Sequence, residues 1–166
     1  MFKQILIPTD GSALARKAVK AGVALAKELN AKVTAYYALE AFQPYVYGDG
    51  YVIDTATIKS FEERAREAGQ KFLAEVEKAA KAAGVSCETM ITKPSTAYQG
   101  IIDAAKRRKC DVIFMASHGR GELASLILGS VTQKVLAHSK VPVLVYRLAR
   151  GRYAARAIPP DGRGGA

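Results

Sequence analysis

The sequence predicts an α/β fold: a doubly wound, five-stranded parallel sheet of order 3-2-1-4-5 with helices on both faces. Three observations carry this. Short apolar runs alternate with longer helical patterns along the whole chain, the rhythm of βαβ units. The first run, Ile5-Leu6-Ile7, and the fourth, Val112-Ile113-Phe114-Met115, are apolar throughout, as strands covered on both faces must be. Each of these two runs leads into a distinctive loop, Pro8-Thr9-Asp10-Gly11-Ser12 after the first and Ser117-His118-Gly119 through Gly129-Ser130 after the fourth. Right-handed crossovers leave few strand orders. In the order 3-2-1-4-5, strands 1 and 4 are neighbours at the switch point, where ligands bind beyond the carboxyl ends of the strands.

In chain order, Gln4 to Pro8 reads as a buried strand, and Ser12 as the N-cap of a helix with Leu14, Ala18, Ala21, Leu25 and Leu29 on one face and Asn30 at its end. Lys32 to Leu39 is the second strand, with Val33, Ala35, Tyr37 and Leu39 at alternate positions. Residues 40–57 break the rhythm with Pro44, Gly48, Gly50 and the tyrosines 45, 47 and 51. A loop of that length in a compact domain is either a surface excursion or a flap over a site. From Ile58 to Ala83 a helix is expected, with Phe61, Ala65, Ala68, Phe72, Val76, Ala79 and Ala83 on its apolar stripe and Gly84 as its stop. Val85 to Thr92 is the third strand and Ala97 to Arg108 the next helix, its final cations (Lys106 to Lys109) suited to the negative end of the helix dipole. Asp111 to Met115 is the fourth strand. A helix opens at Ser130, and Val141 to Tyr146 is the last strand, with Pro142 marking its start or a sheet edge. An apolar edge needs a cover, so homodimerisation through Val141–Arg147 is expected.

Composition bounds the rest. The 166 residues suffice for one domain with a proper core. That domain is expected over residues 1–147, followed by a basic, disordered tail over 148–166, where four arginines face one aspartate. The net charge of +10 favours anionic partners without choosing among them. The basic runs lack interleaved aromatics for stacking on bases, so nucleic acid ranks last among those partners. Cys87 and Cys110 have no metal-ligand spacing and read as reduced cysteines. The apolar run at the N-terminus is too short for a signal peptide, and no window approaches the roughly 20 apolar residues of a membrane span. A cytoplasmic protein is expected.

The two loops carry the chemistry. A helix opening at Gly129-Ser130 presents unpaired N–H groups and the positive end of its dipole, which suits phosphate. The standard phosphate motifs do not match. The chain has no GxxxxGK[ST], and Gly119-Arg120-Gly121-Glu122-Leu123-Ala124, a GxGxxA pattern, lies after the wrong strand for a dinucleotide fingerprint.

Taken together, Ile5 to Ser12, the segment Ser117-His118-Gly119, nine residues, Gly129-Ser130, and the closing Val131-Thr132 with Val141 to Val145 resemble the universal stress protein family over residues 1–147. That family has an adenine nucleotide alpha-hydrolase-like fold, and its ATP-binding signature is Gly, two residues, Gly, nine residues, Gly, then Ser or Thr. The first glycine of the signature falls at Ala116 here. An extended backbone there would cost little, whereas a left-handed one would weaken binding. Members without the glycines do not bind ATP, and Gly119, Gly129 and Ser130 are retained, so the resemblance is to the ATP-binding branch.

The resemblance implies that Asp10 accepts hydrogen bonds from ribose hydroxyls, and that Pro8, Thr9, Ala38 and Met115 frame adenine. Gly119, Gly129, Ser130 and Thr132, with the backbone of Ser117, His118 and Val131, would cradle phosphates of ATP or AMP. Mg2+ or Mn2+ would accompany a triphosphate, with no metal site made by protein side chains alone. Each residue also has a plain structural use: Asp10 and Ser130 as caps, the glycines as turn formers.

No catalytic residue is assigned. His118 has neither a carboxylate orienter nor a paired nucleophile in the sequence and reads as a loop histidine bonded to backbone, while His138 reads as structural. The function implied is a nucleotide-responsive stress regulator with an unnamed protein partner, a binding module with at most slow ATP hydrolysis. The alternatives are an ATP-hydrolysing or adenylating enzyme, and a dimeric interaction protein that binds no nucleotide.

Overall fold

The computed structural model describes residues 2–39, 55–119 and 128–147. Within them the chain runs β1 (Gln4–Pro8), α1 (Ala13–Glu28), β2 (Lys32–Ala38), α2 (Thr55–Ala83), β3 (Cys87–Thr92), α3 (Ala97–Arg107), β4 (Val112–Ala116), α4 (Ser130–His138) and β5 (Val143–Tyr146). The strands form one sheet in the order β3-β2-β1-β4-β5, every neighbouring pair parallel. The predicted fold class and strand order are those observed. Residues 40–54 of the loop expected over 40–57, residues 120–127 of the glycine loop, and the tail over 148–166 lie outside the described residues, while residues 55–57 belong to α2.

Two cores sandwich the sheet. On one face α1 and α2 bury Val19, Val23, Leu73 and Val76 against Ile5, Ile7, Val33 and Phe114. On the other, α3 and α4 bury Ile101, Ala104 and Val135 against Leu6, Tyr36, Ile113 and Met115. This explains the sequence of β1, where three successive apolar residues are needed because adjacent side chains point into different cores. Each fully buried aliphatic contributes about 1.5–3 kcal/mol of transfer free energy.

The ends of the elements follow from local chemistry. Ser12 caps α1, its hydroxyl accepting from the Ala15 amide at 3.1 Å. Asn30 closes the turn after α1 at φ 51°, and Gly84 ends α2 at φ +72°.

Several expectations need correction. The buried stripe of α1 is Ala15, Ala18, Val19, Gly22, Val23 and Ala26, while Leu14, Ala21, Leu25 and Leu29 flank it half-buried. The small residues face the sheet because the helix sits close to it. A Cβ at Gly22 would stand 2.8 Å from Ile7 Cδ1 and 2.9 Å from Phe114 Cδ1. In α2 the deepest residues are Gly69, Leu73, Val76 and Ala80, and Phe61 is 45 % exposed. The helix also begins at Thr55, three residues before the expected start. In β2 the residues between the alternating set, Thr34 and Tyr36, are fully buried too, because this strand lies inside the sheet with a core on each side.

Candidate functional site

The sheet opens where β1 meets β4. β1 pairs with β2 along its whole length, from Gln4–Lys32 to Pro8–Tyr36. Its pairing with β4 covers only Ile5–Val112 and Leu6–Ile113. Beyond Leu6 the two strands part, and a cleft of ≈ 350 Å³ occupies the gap, within the ordinary range for small-molecule sites.

One lip of the cleft is the loop after β1. The Thr9 amide donates to the Tyr36 carbonyl at 2.9 Å, extending the strand pairing to the rim. Two side chains then fold the loop on itself. Asp10 Oδ1 accepts from the Ser12 amide at 3.0 Å, and Thr9 Oγ1 accepts from the Gly11 amide at 3.3 Å. Gly11 supplies φ +76° at the apex. Asp10 is thus oriented by its own turn while lining the cleft.

The other lip is the exit of β4 and the start of α4. Gly129 is the N-cap of α4, with no side-chain cap and no acidic residue in the first turn. Its amide donates to the Ser117 carbonyl at 2.8 Å. A Cβ on Gly129 would stand 3.2 Å from both His118 Cα and the Ser117 carbonyl oxygen, a tight approach to backbone that a side chain could enter only if the loop gave way by a few tenths of an ångström. Thr132, buried in the first turn, donates through Oγ1 to the Ala116 carbonyl at 3.1 Å. Gln133 Nε2 donates to the Leu128 carbonyl at 2.8 Å. These bonds fix the helix start against the end of β4, with Ser130 and Val131 facing the cleft.

The structure brings together all but one of the predicted site residues. Pro8, Thr9 and Asp10 line the cleft from β1, Ala38 from β2, and Met115 from β4. His118, Gly119, Gly129, Ser130, Val131 and Thr132 line it from the glycine loop and α4. Ser117 lies behind the wall, 2 % exposed. Its amide donates to the Tyr146 carbonyl at 2.9 Å, its carbonyl accepts from Gly129, and its hydroxyl meets His118 Nδ1 at 3.0 Å. Its backbone is therefore spent on holding the loop. That contact gives His118 a side-chain hydroxyl as a neighbour. His138 stacks beside Tyr98, ring centroids 5.6 Å apart, away from the cleft.

Ala116, at the signature's first glycine, is the last residue of β4, paired with Tyr146. Among the described residues only Asn30 and Lys109 combine a side chain with positive φ. The alanine is accommodated in extended backbone, and its methyl joins the α1–α2 core.

Sequence reasoning missed part of the wall. Tyr36, Tyr37, Ala15, Ala97, Ile101 and Ala116 also line the cleft. Tyr36 is fully buried, its phenol 2.7 Å from Thr92 Oγ1, and burial pushes its pKa up. The available signal was the Tyr36-Tyr37 pair at the carboxyl end of a central strand, the end where this architecture places ligands. The site thus combines a carboxylate, a helix N-terminus and an apolar floor. That set suits a ligand with hydroxyls, anionic oxygens and a flat apolar part. Among the described residues no three His, Cys, Asp or Glu side chains gather to hold a metal ion, and no helix is long and apolar enough to cross a membrane.

Comparison with known proteins agrees with this architecture. The model of the Universal stress protein family matches residues 1–147. A universal stress protein of Methanocaldococcus jannaschii is 33% identical over 147 residues, covering 89% of this chain and 83% of its own. The structure of a hypothetical protein whose function was assigned from its structure superposes with a TM-score of 0.72 at 25% identity, covering 91% of this chain and 99% of that one. A universal stress protein in complex with cAMP superposes with a TM-score of 0.65 at 25% identity, covering 89% and 99%. One from Archaeoglobus fulgidus in complex with dAMP gives 0.63 at 15% identity, covering 87% and 98%, a likeness of fold.

Proposed function

The chain belongs to the universal stress protein family, and from that premise we propose that it binds an adenine nucleotide, ATP or AMP, in the cleft between β1 and β4 and acts as a nucleotide-responsive regulator of a stress response. One observation carries the proposal. The Asp10 carboxylate, the N-terminus of α4 with a glycine at its N-cap, and an apolar floor converge on a single cleft where the sheet parts. Asp10 accepts from the ribose hydroxyls. Pro8, Thr9, Ala38 and Met115 enclose the base. Phosphate lies against Gly119, Gly129, Ser130 and the first-turn amides of α4, where the helix dipole favours negative charge. Adenine-nucleotide complexes of proteins sharing this fold support the choice of ligand. With a triphosphate, Mg2+ or Mn2+ would be held by phosphate oxygens and water.

The site is a binding module. His118 meets the hydroxyl of the residue before it, and Ser117, 2 % exposed behind the wall, does not line the cleft as a nucleophile would. Ala116 lines the cleft in extended backbone, so alanine at the first glycine of the signature carries no left-handed strain. The direct experiment purifies the full chain without added nucleotide, denatures it and identifies released small molecules by mass spectrometry. ATP or AMP near one per chain is expected. An empty preparation that also takes up no ATP at millimolar concentration with Mg2+ would leave the nucleotide-independent dimer in front.

A second element of the proposal is homodimerisation through Val141–Arg147. β5 is a sheet edge, and Leu144, opposite Phe114 in the β4 register, is 38 % exposed. An apolar edge strand is a template for pairing with a second copy. Light scattering at micromolar concentration should give twice the chain mass, and a monomeric mass would sink this element.

A further inference from the structure

Helix α2 supplies no residue to the lining of the cleft, yet it backs two of its walls through a pair of glycine–aromatic contacts. Phe72 of α2 presses on the apex of the Asp10 loop. A Cβ on Gly11 would stand 2.3 Å from Phe72 Cε1 and 2.4 Å from Cζ, so the ring lies directly on the glycine Cα. One turn earlier on the same helix, Gly69 receives Tyr37, a cleft residue. A Cβ there would stand 2.4 Å from Tyr37 Cδ1. The two rings also touch each other, with centroids 6.0 Å apart. Arg16 holds the arrangement from α1, its guanidinium 6.0 Å from the centre of the Phe72 ring and its Nε donating to Glu75 Oε2 at 2.8 Å.

We infer that Phe72 is a positioning residue for Asp10, and that α2 is thereby coupled to occupancy of the cleft; this rests on the nucleotide-binding proposal above. The Asp10 turn consists of two local hydrogen bonds, of 3.0 and 3.3 Å, around a left-handed glycine. A glycine at its apex leaves the turn the widest backbone freedom of any residue, so a wall against that apex restricts it. Phe72 is the wall behind its apex. With a smaller or differently shaped side chain at position 72, Gly11 gains room and the carboxylate loses its fixed aim. The coupling is reciprocal. If docking of α2 strengthens ligand binding, the bound ligand strengthens docking of α2 by the same factor.

The test uses the full chain and two variants of α2. Phe72→Leu keeps most of the apolar volume and alters the wall. Leu73→Ala removes a core side chain that is 4 % exposed in the cluster between the sheet and helices α1 and α2. Calorimetric titration with ATP and Mg2+ should show Phe72→Leu about tenfold weaker than wild type, the equivalent of about 1.4 kcal/mol. Leu73→Ala should lower Tm further while leaving affinity within about twofold. In an Asp10→Asn background, Phe72→Leu should weaken binding no further, because it acts through Asp10. In the wild type, hydrogen exchange of amides around Gly69–Val76 should slow on adding ATP. Unchanged affinity in Phe72→Leu, effects that multiply with Asp10→Asn, or unaltered exchange in α2 would each overturn the inference while leaving nucleotide binding standing. Absence of binding by the wild type would overturn the nucleotide proposal and this inference with it.

Discussion

Gly119 stands against the carboxylate of Asp10: a Cβ built on Gly119 would lie 2.6 Å from Asp10 Oδ2. The two loops are therefore in contact across the mouth of the cleft, and the absence of a side chain at 119 is what lets the carboxylate occupy its place. Gly119→Ala should displace Asp10 without disturbing the core. The expected result is affinity for adenine nucleotide reduced about tenfold, corresponding to about 1.4 kcal/mol, with Tm within a few degrees of wild type. Calorimetric titration and a melting curve read the two quantities separately.

Gly129 should be less forgiving. Its missing Cβ would meet backbone, His118 Cα and the Ser117 carbonyl, at 3.2 Å, and backbone cannot rotate aside as a carboxylate can. Gly129→Val should push the start of α4 off the end of β4 and strain the Gly129–Ser117 hydrogen bond. Loss of nucleotide binding is expected with the sheet intact, checked by titration beside far-UV circular dichroism. Wild-type affinity in this variant would remove the α4 N-terminus from the site.

Thr132→Val tests whether α4 is anchored to β4 by the Thr132–Ala116 hydrogen bond. Valine matches the shape of threonine but leaves the Ala116 carbonyl without its donor in a buried position. A loss of about 1–3 kcal/mol is expected, measured by urea unfolding. A stability equal to wild type would show that the helix start is held by other contacts.

The thiols give a pH dependence with a definite sign. Burial pushes Cys87 and Cys110 up to about 11, from an ordinary value of 9.0. Between those two values the unfolded chain releases thiol protons that the folded chain retains. The stability contributed by the neutral thiols is complete below pH 9 and is lost as pH rises through about 11. Tyr36, raised by burial from 10.0, acts in the same direction above that value. Tm should fall steadily across this alkaline window. Cys110→Ala should flatten part of the fall, and an identical slope in that variant would rule out the buried Cys110 thiol as a contributor.

The fold was legible because the strongest signals were local and mutually consistent. Ile5-Leu6-Ile7 and Val112 to Met115 needed two covered faces, Ser12 and Gly84 marked helix boundaries, and the alternation of elements left few strand orders. The lips of the cleft were legible for the same reason, since Asp10 and the glycines sit in loops that topology brings together. What stayed hidden depended on packing distance. The periodic leucines of α1 looked like its core, but a helix lying close to the sheet selects Ala18, Gly22 and Ala26 for the interface and moves the leucines to its flanks. Phe72 showed in the sequence only as one member of an apolar stripe. Its contact with Gly11 joins residues 61 positions apart, and no local pattern encodes it. Ser117 looked like part of a phosphate loop, but its hydrogen bonds are spent on Tyr146, Gly129 and His118.

The central claim is that the cleft between β1 and β4 binds an adenine nucleotide, and titration of the ligand-free chain with ATP and with AMP, beside Asp10→Ala, tests it most directly. Saturable binding near one nucleotide per chain, abolished or strongly weakened in Asp10→Ala, is the expected result. No binding of either nucleotide up to millimolar concentration with Mg2+ present, or equal binding by wild type and Asp10→Ala, would contradict it.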